Sequence, residues 1–129
     1  MDPADRERLV LYLESTLGTR PDILFAMVFG SFLNADAFRD IDLAIWTAEE
    51  ADAALDIELA ASLSREFGLP VDVRRLNDAP VPFRFNALRG RPVAVHDERL
   101  LADLMERTAR AYHDLAALLR RSTAEAFAR

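Results

Sequence analysis

The feature that most constrains this chain is the stretch from Leu24 to Trp46, LFAMVFGSFLNADAFRDIDLAIW. Leu24 to Phe29 is apolar at every position and too short for an ordinary helix, which predicts a strand buried on both faces. Ile41 to Trp46 predicts a second. Strand side chains alternate, so Asp40 and Asp42 share one face while Ile41 and Leu43 take the other. Two carboxylates about 7 Å apart at a strand entrance repel each other unless a cation neutralises them. Mg²⁺ suits such a place, because it takes oxygen ligands and is commonly held by one or two carboxylates plus substrate phosphates. Gly30-Ser31 closes the first strand, where a glycine lets backbone approach a ligand and amides at a helix start favour an anion. Taken singly, the residues allow a plainer role: Asp40 capping a turn and Asp42 a solvated strand end.

Taken together, strand, Gly30-Ser31, Asp40-x-Asp42 and strand resemble the nucleotidyltransferase superfamily of DNA polymerase β. Within it the chain looks most like the minimal nucleotidyltransferases (MNT), small prokaryotic members often paired with a HEPN toxin. Eight residues, Phe32 to Arg39, separate Ser31 from Asp40, where the family has about ten, so the intervening helix is expected to be about half a turn shorter. Phe32 and Leu33 also stand where many relatives carry a basic residue.

The elements that follow fit the same pattern. Asp2-Pro3 reads as a helix start and Gly18 as its end, with Leu9, Val10, Leu13 and Leu17 on one side. Thr47-Ala48-Glu49-Glu50 has the form of a capping box and predicts a helix from there through Phe67, stopped by Gly68 and Pro70. Val71 to Leu76 predicts a third strand, Val71 and Val73 facing one way, Asp72 and Arg74 the other. An aspartate in an apolar strand needs a partner. The residues leave two: an ion pair with Arg74 or Arg75, or a metal. The family has a third carboxylate on this strand, and the resemblance implies that Asp72 is the third ligand and the general base.

Asn77 to Pro82 predicts a loop, Phe83 to Leu88 a helical turn carrying Arg84 and Arg89, and Pro92 to His96 a fourth strand. Asp97 is expected to cap a long amphipathic helix with Leu100, Leu101, Leu104, Ala111, Leu115 and Leu118 as its stripe. Arg107 and His113, with five residues between them, match the loose Arg-x4-6-His pattern of HEPN ribonucleases. A HEPN domain is a helical bundle, and one long helix does not make it; His113 reads as a helix-surface residue and His96 as a strand-end one. The expected fold is therefore α+β (mixed α/β): a central sheet of about four strands backed by helices, with a long C-terminal helix, in one domain over residues 1–129.

Bulk properties bound the function. The net charge of −6 argues against a generic nucleic-acid binder and means that an anionic nucleotide must be received through a metal. All sixteen basic residues are arginine, which reads as coding bias. Cysteine is absent, which removes thiolate chemistry, and neither histidine has a second at ligand spacing, which argues against zinc. With no signal peptide and no apolar run near 18 residues, a cytoplasmic protein without membrane attachment is expected.

What the resemblance implies is two-metal nucleotidyl transfer: Asp40, Asp42 and Asp72 as catalytic and Mg²⁺-binding residues, ATP as substrate, Gly30 and Ser31 on its phosphates. Arg74, Arg75 and Arg84 are further phosphate candidates by charge alone. The implied acceptor is a tyrosine of a partner HEPN toxin, making the chain its antitoxin by adenylylation. Two alternatives stand beside it: a binding module that neutralises its partner by contact, and a nucleotidyltransferase acting on a small molecule.

Overall fold

The computed structural model describes residues 3–34 and 39–128. Among them, five helices and four strands alternate in the order α1 (Pro3–Gly18), β1 (Ile23–Phe29), α2 (Ser31–Asn34), β2 (Ile41–Thr47), α3 (Leu55–Phe67), β3 (Val71–Arg75), α4 (Val81–Leu88), β4 (Arg91–Val95) and α5 (Glu98–Ala128). The sheet order is β3-β2-β1-β4, with β1 antiparallel to both β2 and β4, and β2 parallel to β3. The expected mixed α+β architecture is thus present.

Both faces of the sheet are covered, and strand alternation decides which side chain goes where. Ile41, Leu43 and Ile45 with Val71 and Val73 pack against Val10, Leu13 and Leu17 of α1 and Leu55, Leu59 and Leu63 of α3. Phe25, Met27, Phe29 and Ala44 pack against Ala87 and Leu88 of α4 and Leu101 and Leu104 of α5. A register shift between Ile23 and Phe25 sends Ile23 to the first face although its parity matches the second. Asp42, Asp72 and Arg74 fall by the same alternation on the α4/α5 side, Asp42 and Asp72 each between residues of the α1/α3 core.

One expected helix start is wrong. Thr47 does not cap a helix: it is the buried last residue of β2, and α3 begins eight residues later at Leu55. The Asn77 side chain takes the amide of Thr47 on Oδ1 (3.0 Å) and donates Nδ2 to its carbonyl (2.8 Å). That pairing satisfies a strand end whose backbone a helix would have used locally. Asp97, by contrast, caps α5 as expected, its Oδ1 accepting from the Leu100 amide at 2.9 Å. The α5 stripe loses its cover late: Leu101 and Leu104 are buried, whereas Leu118 is 55% exposed. No described helix is long and apolar enough to cross a membrane.

His96 ties β4 to the α1–β1 turn. Its Nδ1 lies 2.7 Å from the Ile23 carbonyl oxygen and its Nε2 2.9 Å from that of Gly18. A neutral imidazole carries one N–H and can serve one of these acceptors; the imidazolium serves both. The two carbonyls, Ile23 first, therefore raise its pKa above the ordinary 6.5, against a smaller opposing effect of burial. A raised native pKa means that the stabilisation is complete below about 6.5 and is lost as pH rises through the native value. In thermal melts, the difference between the parent and His96→Ala is expected to be largest near pH 6 and to shrink towards pH 8 and above. A difference that does not change with pH would mean that the ring is held neutral.

Candidate active site

One end of the sheet gathers the chemistry. β1 ends at Phe29 where β2 begins, and Phe29 pairs with Asp42. Because β2 and β3 are parallel, their N-terminal ends coincide: Ile41 pairs with Val71 and Asp42 with Asp72. The Ile41 amide donates to the Pro70 carbonyl at 3.0 Å, which fixes that register at the strand entrances. Asp42 and Asp72 are consequently neighbours on one face, and Asp40 lies two residues before Asp42, exposed just outside the strand.

The electrostatics report this crowding. Burial pushes the Asp42 carboxyl above the ordinary carboxylate range, and the charges of Asp40 and Asp72 push it further, with Arg74 opposing. The Gly30 turn meets the same carboxylate. Gly30 has φ +79°, and a Cβ there would sit 2.7 Å from Asp42 Oδ2. Glycine is therefore needed twice, for the left-handed backbone and for the close approach. Ser31 opens α2, a single turn held to α1 by the Arg6 Nε–H to Phe32 carbonyl bond of 2.6 Å.

Asp72 is paired as the structure stands. Its Oδ2 accepts from Arg74 Nε at 3.2 Å, both side chains being more than half exposed. The Arg74 guanidinium also lies 5.3 Å from the centroid of Phe83. Among the described residues, no three acidic or histidine side chains are gathered closely enough to hold a metal ion in their present positions. The donor set nevertheless suits a hard divalent cation: carboxylate oxygens only, one of them partly desolvated and destabilised by like charge. An incoming cation would have to displace Arg74 from Asp72, an exposed contact of the kind that contributes about 1 kcal/mol or less.

Other arginines are committed elsewhere. Arg84 donates to the Leu76 and Asn77 carbonyls and stacks 5.2 Å from the Trp46 ring centroid. Arg75 donates to the Asp52 carbonyl at 2.9 Å and lies 3.5 Å from Asp56 Oδ1. Both are thus structural, contrary to the expectation that they meet phosphate. Arg107 pairs with Asp103 one helical turn away on the exposed face of α5, and His113 meets Phe85 edge-on, so their HEPN-like spacing builds no site.

Two clefts open at this end of the sheet. One of about 430 Å³ runs beside Asp72 along β3, between Asp56, Arg75, Pro80 and Phe83. The other, about 320 Å³, is lined by Phe29, Gly30, Leu33, Asn86, Arg89 and Gly90. Sequence reasoning did not single out this second cleft, because the α4–β4 turn reaches Gly30 only through sheet pairing.

The sequence profile of the family described as "Polymerase beta, Nucleotidyltransferase" matches residues 12–99. Comparison with curated proteins gives no match. Among solved structures, a chain of a toxin–antitoxin structure with AMP-PNP superposes with a TM-score of 0.70 at 20% identity, over 94% of this chain and 98% of that one. A chain from the tri-AMPylated Shewanella oneidensis HEPN toxin in complex with MNT antitoxin gives 0.68 at 19% identity, over 96% and 98%. A chain of the toxin–antitoxin MntA–HepT gives 0.67 at 18%, over 96% and 98%. At such identities these structures speak for the fold, whereas the profile spans more than half of the sequence and includes the Gly30 turn and all three aspartates. The chain belongs to the polymerase beta nucleotidyltransferase family.

Proposed function

We infer that this chain is a metal-dependent adenylyltransferase that moves AMP from ATP to a tyrosine of a partner HEPN-type toxin, and so acts as its antitoxin. The observation that carries the reading is the juxtaposition of Asp42, Asp72 and the Gly30 turn at one sheet end in a nucleotidyltransferase fold. The solved structures of similar fold support the choice of substrate and partner, one being with AMP-PNP and one containing an AMPylated HEPN toxin. Residues 1–129 would form one minimal catalytic domain, working in the cytoplasm where ATP and such a partner meet.

Asp40, Asp42 and Asp72 would hold Mg²⁺, as the two-metal site of the family, supplying charge neutralisation at the phosphates. The chain's own residues do the rest. Gly30 and Ser31 hold the β- and γ-phosphates through the turn's amides and the hydroxyl. The acceptor hydroxyl enters by the 430 Å³ cleft beside Asp72, which takes its proton as general base. The acceptor oxygen then bonds to the α-phosphorus, the bond to the β-phosphate bridging oxygen breaks, and pyrophosphate leaves. Arg74, freed from Asp72, remains close enough to meet a phosphate oxygen.

A second reading keeps support from one observation: Asp72 is engaged by Arg74, and the three acids do not form a ready metal cage among the described residues. A contact antitoxin without catalysis would tolerate that arrangement. Incubation with labelled ATP, Mg²⁺ and the product of a neighbouring all-helical reading frame separates the cases. Label on that protein, lost in chelator, is the expected result. Label on a small molecule of the host lysate would replace the acceptor, and no label at all with intact co-purification would leave the contact reading. By calorimetry, ATP is expected to bind with Mg²⁺ and very weakly in chelator, because six excess negative charges repel a free triphosphate.

A further inference from the structure

We propose that Arg89, with Asn86 beside it, forms the polyphosphate side of the nucleotide site and supplies the cation that α2 lacks. The proposal rests on the nucleotidyltransferase reading above and adds to it a residue on another element. After Ser31 come Phe32, fully buried, and half-buried Leu33, so α2 brings no positive charge to a triphosphate. Nor does the sequence contain lysine. A nucleotide with its α-phosphate at Asp42 must still place its terminal phosphates somewhere beyond Gly30.

The 320 Å³ cleft begins at Gly30, the residue whose Cβ position lies against Asp42, and Asn86 and Arg89 line it as well. Arg89 is exposed, and among the described residues it makes no ion pair; its guanidinium rests 5.4 Å from the Phe85 ring centroid. Phe85 is itself stacked in parallel on Tyr112 of α5, centroids 3.9 Å apart, so the platform under the arginine is fixed. A guanidinium lying against a ring keeps its N–H edges free for a phosphate and loses little freedom on binding one. The α4–β4 turn is held just as firmly. Gly90 packs so tightly on Val28 of β1 that a Cβ would lie 2.2 Å from the Val28 carbonyl oxygen. Meanwhile Arg6, Arg75, Arg84 and Arg91 are held elsewhere, by the Phe32 carbonyl, by Asp52 with Asp56, by two loop carbonyls, and by Glu7.

Calorimetry on the purified chain tests this with three probes, Mg·ATP, Mg·tripolyphosphate and AMP. Arg89→Ala is expected to weaken Mg·ATP and Mg·tripolyphosphate about thirtyfold, the scale of a charge-assisted phosphate contact, and to leave AMP unchanged. Arg89→Lys is expected to recover most of the loss, and both variants to melt near the parent without ligand. Equal affinity of the parent and Arg89→Ala for Mg·ATP would overturn the assignment while leaving the nucleotidyltransferase reading intact. So would an equal loss for AMP and ATP, since AMP carries no terminal phosphates. A parent that binds none of the three would instead bring down the functional reading, and this inference with it.

Discussion

Asp42→Asn is expected to lower nucleotidyl transfer at least about a thousandfold while leaving fold and partner binding in place. Asparagine keeps the size of the side chain and removes its charge. Metal electrostatics at such a site contribute several kcal/mol to the transition state, and each 1.36 kcal/mol is tenfold in rate. The same variant is expected to melt higher than the parent in chelator at neutral pH. Burial, Asp40 and Asp72 all raise the Asp42 pKa. A carboxyl with a raised native pKa is best tolerated protonated, and its penalty grows as pH climbs through the native value, so at pH 7 the ionised group destabilises. Gain of stability with loss of activity would mark a group held for chemistry rather than for folding. In cells expressing a HEPN toxin against which the parent chain protects, protection by the variant equal to the parent's at equal abundance would sink the catalytic reading. Lost protection with continued co-purification would make transfer itself the silencing event.

How much of this could be read from the chain depends on how local each feature is. β1 and β2 are legible because Leu24–Phe29 is apolar without interruption, as a strand covered on both sides must be, and Ile41–Trp46 is apolar except at Asp42. The face of Asp42 and Asp72 follows from alternation with Ile41, Leu43, Val71 and Val73, which the two cores respect. That the two aspartates are adjacent is not local. It depends on β3 returning parallel to β2, with Ile41 bonded to Pro70.

Misreadings have the same origin. Thr47-Ala48-Glu49-Glu50 satisfies a local pattern, but Asn77, thirty residues on, claims Thr47 for the end of β2. Arg84 and Arg75 carry the right charge for phosphate and are taken by backbone carbonyls and Asp56. The Asp72–Arg74 pair was legible, since residues i and i+2 of a strand share a face. Arg89 was not: nothing nearby in sequence connects it with Gly30, and only the pairing of β4 on β1 does. Position along the chain tells which residues carry charge; the sheet decides which charges are free.

Gly90→Ala is expected to be the most damaging single-methyl change, lowering the melting temperature by about 10 °C or more, which corresponds to about 3 kcal/mol in a domain of this size. The cause is contact, not backbone conformation. The added Cβ would lie 2.2 Å from the Val28 carbonyl oxygen, 3.0 Å from Phe29 Cβ and 3.1 Å from the Ala87 carbonyl oxygen. Two of the three are backbone atoms of paired or helical segments, so no flexible side chain can step aside. Relief requires the α4–β4 turn to lift off β1, loosening the Val28–Arg91 pairing and carrying Arg89 away from the cleft. Gly18→Ala is the matched control: a Cβ there meets nothing within 4 Å, at the last residue of α1. That change is expected to be neutral or stabilising by about 0.5 kcal/mol, from the smaller entropy of the unfolded chain. Denaturant titration of both variants beside the parent decides the matter. If Gly90→Ala unfolds with the parent's midpoint, the turn is not pressed on β1 as described, and the fixed geometry assigned to Arg89 loses its anchor.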